Sequence, residues 1–465
     1  MRTPLHQLMI QHANSHQPVC HDGNALVSWN TFVARVSSLT QHLKSRSETR
    51  WLVFNDNPLN FAVIFFALLH ADKCIVIPPN ILPGTLIELA DAFDAIAIES
   101  ITPANQSQAG ELSALDVHAK SIDLYTSGST GKPKRVQKTL LQLETELNVL
   151  EELWGSEMGA CSIISTVPHH HIYGLLFRLL WPLSSRRVFD TVTCHNPEEI
   201  AIRHALLGDT VMVSSPAQLS RFFDLSSDSS VSDSPKIIFS SGGPLSATTA
   251  QQFHQAFGQA PIEIFGSTET GGIAWRCQSD SDAWTMLPGI HIEAVTLSQP
   301  SLAMLSSPFL PDNLATPMDD LIEMLPNHTF RLCGRADKVV KIEQKRLSLT
   351  DMEITLSDHL WVASAVGLVI SARRESVAIV ATLTADGAQT LATLGRNEFI
   401  KQLKQHLSQH FEAVLLPRYW RFVETLPVSS TGKVTQQSLH ALFKQHASPH
   451  DAAQSITVEV SHATT

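Results

Sequence analysis

No C-x-x-C pair occurs in this sequence: the six cysteines, Cys20, Cys74, Cys161, Cys194, Cys277 and Cys333, are scattered along 465 residues. That spacing points away from a zinc cluster or a disulfide framework, so a reducing, cytoplasmic setting is expected. Basic blocks are missing as well. With 33 Lys and Arg against 44 Asp and Glu, the net charge of -11 disfavours nucleic acid or an anionic membrane as the main partner. The longest apolar run, residues 61–69, falls far short of the about 20 residues a membrane span needs. The opening MRTPLHQLMI has no long apolar stretch behind Arg2, so no signal peptide is expected. Glycine and proline, 21 and 24 residues, are too few for a low-complexity chain, and no internal repeat is visible.

What is present is ample apolar material, 43% of the residues, in a chain longer than one core usually manages, so two or more folding units are expected. Residues 51–54 and 74–77 read as strands, with helical spacing over 60–70 and 86–93. The rhythm returns in the short apolar or β-branched runs 162–167, 210–214, 236–239 and 262–265. This alternation predicts an α/β fold with parallel-rich sheets covered by helices. From about Asp337 the pattern changes: strands at 338–342, 362–369 and 376–384 accompany helical spacing at 350–359 and 397–410. The expected organisation is a large layered α/β domain over 1–336, a small mobile α+β domain over 337–446, and a polar tail over 447–465.

Several loops carry chemistry. Tyr125-Thr-Ser-Gly-Ser-Thr-Gly-Lys-Pro-Lys-Arg135 follows an apolar strand and offers backbone N–H groups and hydroxyls to phosphate oxygens, with Lys132 and Lys134 adding charge. It is not a Walker loop, because Pro133 follows the lysine and the glycines are three apart. The competing reading is a plain surface loop. Phe265-Gly-Ser-Thr-Glu-Thr-Gly-Gly272 also follows a strand, and Glu269 offers the carboxylate oxygen that a hard cation takes, although S/T-x-E patterns also start helices. Gly242 and Gly243, after the strand at 236–239, form either a plain turn or bare backbone against which a base can lie. In Pro168-His-His-His-Ile-Tyr-Gly174, alternation along a strand would point neighbouring histidines to opposite faces, which disfavours a shared metal.

Taken together and in order, these segments resemble the signature of the adenylate-forming superfamily, which includes acyl-CoA synthetases, aryl-CoA ligases, firefly-type luciferases and nonribosomal peptide adenylation domains. The resemblance runs from about Trp51 to Leu439. It implies ATP and magnesium as cofactors, and a carboxylic acid that is converted to an acyl-adenylate and then transferred to the thiol of coenzyme A or of a carrier protein's phosphopantetheine. Thr126, Ser127, Gly128, Ser129, Thr130, Gly131 and Lys132 would hold phosphates. Phe265 would meet adenine, Thr268 a phosphate and Glu269 magnesium, with Gly266, Gly242 and Gly243 also in the nucleotide site. His171, on P-x-x-H-x-x-G, would line the acid pocket. Asp320, or Asp319 by a one-residue slip, would accept from the ribose hydroxyls, Arg335 would contact ribose or phosphate, Asp337 would be the hinge and Lys341 would approach the nucleotide. In Leu426-Pro-Val-Ser-Ser-Thr-Gly-Lys433 the final lysine would bridge carboxylate and α-phosphate.

The chain departs from the family at Met318-Asp319, where Thr-Gly is usual, and at Gln344, where a glycine is usual. The second departure bears on the thiol acceptor more than on adenylation. The segment Lys341-Ile-Glu-Gln-Lys-Arg-Leu-Ser-Leu349 is similar to synthetases of bacterial aryl-polyene and lipid-like pathways, which favours an aromatic or medium-chain acid. An acidic carrier protein would need a local basic patch, and Lys401, Lys404 and Arg418 are the candidates. The rival reading is a nucleotide-binding scaffold of the same fold that has lost catalysis. Retention of Glu269 and Lys433 speaks against it.

Overall fold

The computed structural model describes residues 2–97, 110–118, 121–127, 133–225, 234–296, 299–310, 314–335, 339–342, 345–371, 375–427 and 434–444. The chain divides into two compact units, one running to Cys333 and one starting at Gly334.

The larger unit is built on two principal sheets. In the eleven-stranded sheet the middle is parallel: Ser162–Ser165, Thr210–Ser214, Ile237–Ser241 and Ile262–Ser267 lie side by side in that order. The middles of these strands are apolar because both faces are covered, and the polar residues sit mainly at their ends. Ile163, Val211, Val213, Ile237 and Phe239 enter the main core, while Ile164, Met212 and Ile238 enter a second core on the opposite face. Successive strand side chains point to opposite faces, so an unbroken apolar run is what a doubly covered parallel strand requires. Beyond Ile262–Ser267 the sheet turns antiparallel through Gly271–Cys277, Trp284–Met286 and Thr329–Arg335.

The five-stranded sheet has Arg50–Val53, Cys74–Ile77 and Ser121–Ser127 parallel, with Pro133–Thr139 closing a hairpin on the last of these. The Pro58–His70 helix packs its apolar residues into the same core. Its start is set by Asn57, whose side chain accepts from the N–H groups of Leu59 and Asn60, and by Pro58 in the first turn. The helical spacing over 86–93 resolves instead into a short helix, Pro83–Glu88, and a 3-10 turn, Ala90–Ala92.

The smaller unit packs the Leu349–Ser357 and Arg396–Leu407 helices against a sheet of Val362–Ser371, Glu375–Leu383 and Tyr419–Phe422. Val377, Ile379 and Ala381 face that helical core, and Ala378 and Val380 face a second cluster with Leu439. This is the α+β pattern expected of the region. Among the described residues, no helix is long and apolar enough to cross a membrane.

Candidate active site

Three motifs leave the carboxyl ends of parallel strands in one sheet. Ser162–Ser165 leads to the turn with the histidines, Ile237–Ser241 to Gly242 and Gly243, and Ile262–Ser267 to Thr268 and Glu269. Ligands of open α/β sheets gather at that edge.

Gly242 has a φ of +94°, and a Cβ there would meet nothing within 4 Å; at Gly243 it would meet Pro216 Cγ at 4.0 Å. Backbone is therefore bare here and open to close approach, and the left-handed conformation at Gly242 favours glycine.

The next motif closes a tight hairpin. Gly266 stands opposite Gly272, and a Cβ on Gly266 would lie 2.2 Å from the carbonyl oxygen of Gly271. Ser267 N donates to Thr270 Oγ1 at 3.0 Å and Thr270 N donates to Ser267 Oγ at 3.1 Å, which fixes the turn holding Thr268 and Glu269. Replacing Gly266 by alanine is expected to force this hairpin apart, at about 1–3 kcal/mol in stability as for other overpacked sites, and to lower activity by displacing Glu269. Urea denaturation beside an activity assay checks this; unchanged stability and rate would show that the hairpin tolerates the methyl group.

Glu269 is half-exposed, and its Oε1 accepts from Lys134 Nζ at 2.8 Å. Burial alone would raise its carboxyl pKa. The hydrogen bonds from Lys134 and from its own backbone N–H outweigh that, and the net direction is downward, so the group is ionised at neutral pH. Lys134 stands opposite Thr126 in the hairpin of Ser121–Ser127 and Pro133–Thr139, and its ammonium is held protonated first by the Glu269 hydrogen bond and further by the charge of Asp319. The structure thus gathers Thr126, Lys134, Thr268, Glu269 and the start of the Asp320–Leu325 strand at one place. The Phe265 ring is half-buried, tilted 5.5 Å from Trp284 and edge-on 6.1 Å from Phe330.

The histidines sit in a turn, so the strand alternation expected for them does not apply: the strand ends at Ser165, whose Oγ accepts from Val167 N at 3.1 Å. His169 is buried and its Nε2–H donates to the Asn55 carbonyl at 2.8 Å. His170 stacks on Phe54 at 4.1 Å, and burial pushes its pKa down to about 3, with His171 and Arg178 adding to the shift. His171 precedes the Ile172–Gly174 turn of helix and is half-buried.

Ser127 ends its strand opposite Pro133, and Asp320 begins the Asp320–Leu325 strand. Arg335 ends the Thr329–Arg335 strand and Lys341 pairs with Arg346 across a two-stranded hairpin, both in the smaller unit. Gly128, Ser129, Thr130, Gly131, Lys132, Asp337, Gln344 and Lys433 lie outside the described residues.

Sequence reasoning passes over the residues behind this site, Lys138, Gln142 and Glu146. The signals that could have found them are the Thr139-x-x-Gln142 capping box and a glutamate set among Leu143, Leu147 and Leu150.

These features border the carboxyl edge of the parallel strands. A family model described as AMP-binding enzyme matches residues 89–296. A 4-coumarate–CoA ligase of Cereibacter sphaeroides is 30% identical over 312 residues, covering 66% of this chain and 69% of that enzyme. A linear gramicidin synthase of Brevibacillus parabrevis is 22% identical over 423 residues, which are 78% of this chain and 8% of that much longer protein. Among solved structures, ATP-bound MatB from Rhodopseudomonas palustris matches with a TM-score of 0.78 at 17% identity, covering 96% of this chain and 99% of that one. The chain belongs to the AMP-binding family of adenylate-forming enzymes, which includes acid–CoA ligases.

Proposed function

We propose that this protein activates a carboxylic acid, aromatic or medium-chain, as an acyl-adenylate and transfers the acyl group to a pantetheine thiol. The observation that carries the reading is the Glu269 turn, held by Lys134 of the phosphate-loop hairpin and flanked by the bare backbone of Gly242. The residues fit a nucleotide with magnesium: an ionised, half-open carboxylate suits a cation that typically takes one or two carboxylates plus phosphates. Glu269 would hold the metal, and Gly242, Gly243 and Phe265 would border the base. Bound there, magnesium supplies charge neutralisation on the phosphates.

In the first step a carboxylate oxygen attacks the α-phosphorus, the bond from that phosphorus to the bridging oxygen breaks, and pyrophosphate leaves. Thr126, Thr268 and Lys134 orient and neutralise the phosphates, and Lys433 offsets the repulsion between two anions as they approach. In the second step a thiolate attacks the acyl carbon and AMP leaves.

The name of the 4-coumarate–CoA ligase supports an aromatic acid, and the resemblance to a gramicidin synthase supports keeping a carrier protein as an acceptor. Lys401 is paired with Glu398 at 3.1 Å, which leaves Lys404 and Arg418 as the charges a carrier would meet. Thioester formation, assayed with aromatic and aliphatic acids against coenzyme A and a phosphopantetheinylated carrier, tests the proposal. An aromatic thioester with one acceptor supports it, and loss of that product on reversing Lys404 and Arg418 assigns the carrier. No thioester with any combination overturns the transfer step.

A further inference from the structure

A set of charged side chains lies directly behind the Glu269 turn. Lys138 is 1% exposed. Its ammonium donates to the carbonyl oxygens of Glu269 at 2.9 Å and Phe309 at 3.0 Å. Glu146 is 4% exposed, and its Oε1 accepts from the N–H of Gly272 at 2.7 Å. Gln142 Nε2 donates to the Phe309 carbonyl at 3.1 Å. Burial pushes the lysine pKa down and the glutamate pKa up, and each charge offsets part of the other's shift.

The placement follows from local structure. Lys134 and Lys138 stand at i and i+4 on the Pro133–Thr139 strand, so they share a face. One strand therefore holds Glu269 twice, by its carboxylate through Lys134 and by its carbonyl through Lys138. Gln142 and Glu146 stand at i and i+4 on the Leu140–Met158 helix, which starts at the box where Thr139 Oγ1 accepts from Gln142 N and Gln142 Oε1 accepts from Thr139 N. The glutamate also packs onto the turn itself: a Cβ on Gly271 would lie 2.6 Å from Glu146 Oε2.

Burying an ammonium and a carboxylate costs several kcal/mol per ion before their attraction is counted, and apolar residues of similar volume pack as well or better. The stability of the core does not call for them. The hydrogen bonds found for Lys138 and Glu146 end on Glu269 within the turn, on Gly272 in the strand that leaves it, and on Phe309. We infer that Lys138 and Glu146 are positioning residues that fix the Glu269 carboxylate for magnesium. This rests on the reading of Glu269 as the magnesium ligand.

The test is metal binding without turnover. Mn2+ stands in for magnesium and is titrated into the full chain with ATP and no acid, with bound metal read by electron paramagnetic resonance. ATP affinity without metal and thermal unfolding are followed alongside. Lys138→Met is expected to weaken Mn2+ binding about 10- to 100-fold, the range found when groups that orient metal ligands are removed, with ATP affinity in the absence of metal unchanged. Glu146→Gln, which keeps an acceptor for Gly272 but loses the charge, shifts Mn2+ binding in the same direction by less, and decides the question should Lys138→Met not fold. Glu269→Gln separates the two claims. Weakened Mn2+ binding in Glu269→Gln with normal binding in folded Lys138→Met and Glu146→Gln overturns the positioning role alone. Normal binding in Glu269→Gln overturns the assignment on which it rests.

Discussion

Replacing Lys433 by alanine is expected to slow acyl-adenylate formation by about 10²- to 10³-fold, the loss seen when one charge-stabilising donor is removed from an active site. Thioester formation from a supplied acyl-adenylate should keep its rate. The asymmetry follows from the chemistry: only the first step brings a carboxylate against a phosphate, and that approach of two anions is what the Lys433 ammonium offsets. The second step expels AMP from a mixed anhydride, and its charge builds on the acyl oxygen and the departing phosphate instead. Single-turnover measurement of each half reaction separates them, and an equal loss in both would show that Lys433 supports the fold or the thiol step instead.

Glu269→Gln is the second large effect. The amide keeps the shape of the carboxylate and an oxygen for Lys134, so the turn built on Ser267 and Thr270 should persist. Stability should change little, because the Lys134–Glu269 pair has side chains 62% and 38% exposed and exposed pairs contribute about 0.2–1 kcal/mol. The charge, however, is what the cation needs. The magnesium concentration for half-maximal adenylation is expected to rise about tenfold or more, the lower end of what the loss of even an indirect metal contact produces. An unaltered magnesium titration would count against the assignment.

Much of the fold can be read from periodicity because burial is encoded in it. Cys74–Ile77 and Thr210–Ser214 are strands over the expected residues, since a strand covered on both faces reads as a short apolar run, with Thr210 and Ser214 at the ends of the second hydrogen-bonded to side chains. The helix read at 60–70 begins two residues earlier, at Pro58, where the Asn57 cap acts through a side-chain hydrogen bond rather than through apolar spacing. The antiparallel flank is hidden for a different reason: Trp284–Met286 pairs with Thr329–Arg335, and no local pattern announces a partner that distant. The histidine turn reads as strand because Ile163, Ile164 and Val167 continue an apolar run through Ser165, and it is the Ser165 hydroxyl that ends it.

The candidate site is visible where glycine and hydroxyl residues concentrate, because backbone that approaches a ligand needs both. Gly242 and Gly266 each sit where a side chain is strained or would collide. Its support leaves only faint traces, the Thr139–Gln142 capping box and a glutamate among leucines. Lys138 and Glu146 look like solvent-facing charges in an amphipathic segment, and only the folding of residues 269–272 and Phe309 onto them shows them to be buried. Sequence patterns report which residues avoid water on average, whereas these two are kept from it by partners more than a hundred positions away.

The central claim is adenylation, and isotope exchange between labelled pyrophosphate and ATP tests it most directly, with magnesium, a panel of aromatic and aliphatic acids, and no thiol. The account predicts that label enters ATP only when an accepted acid is present, without coenzyme A or a carrier, and without ADP appearing. Exchange with no acid of the panel by a protein that still binds ATP, or ADP and phosphate as the products, would contradict it.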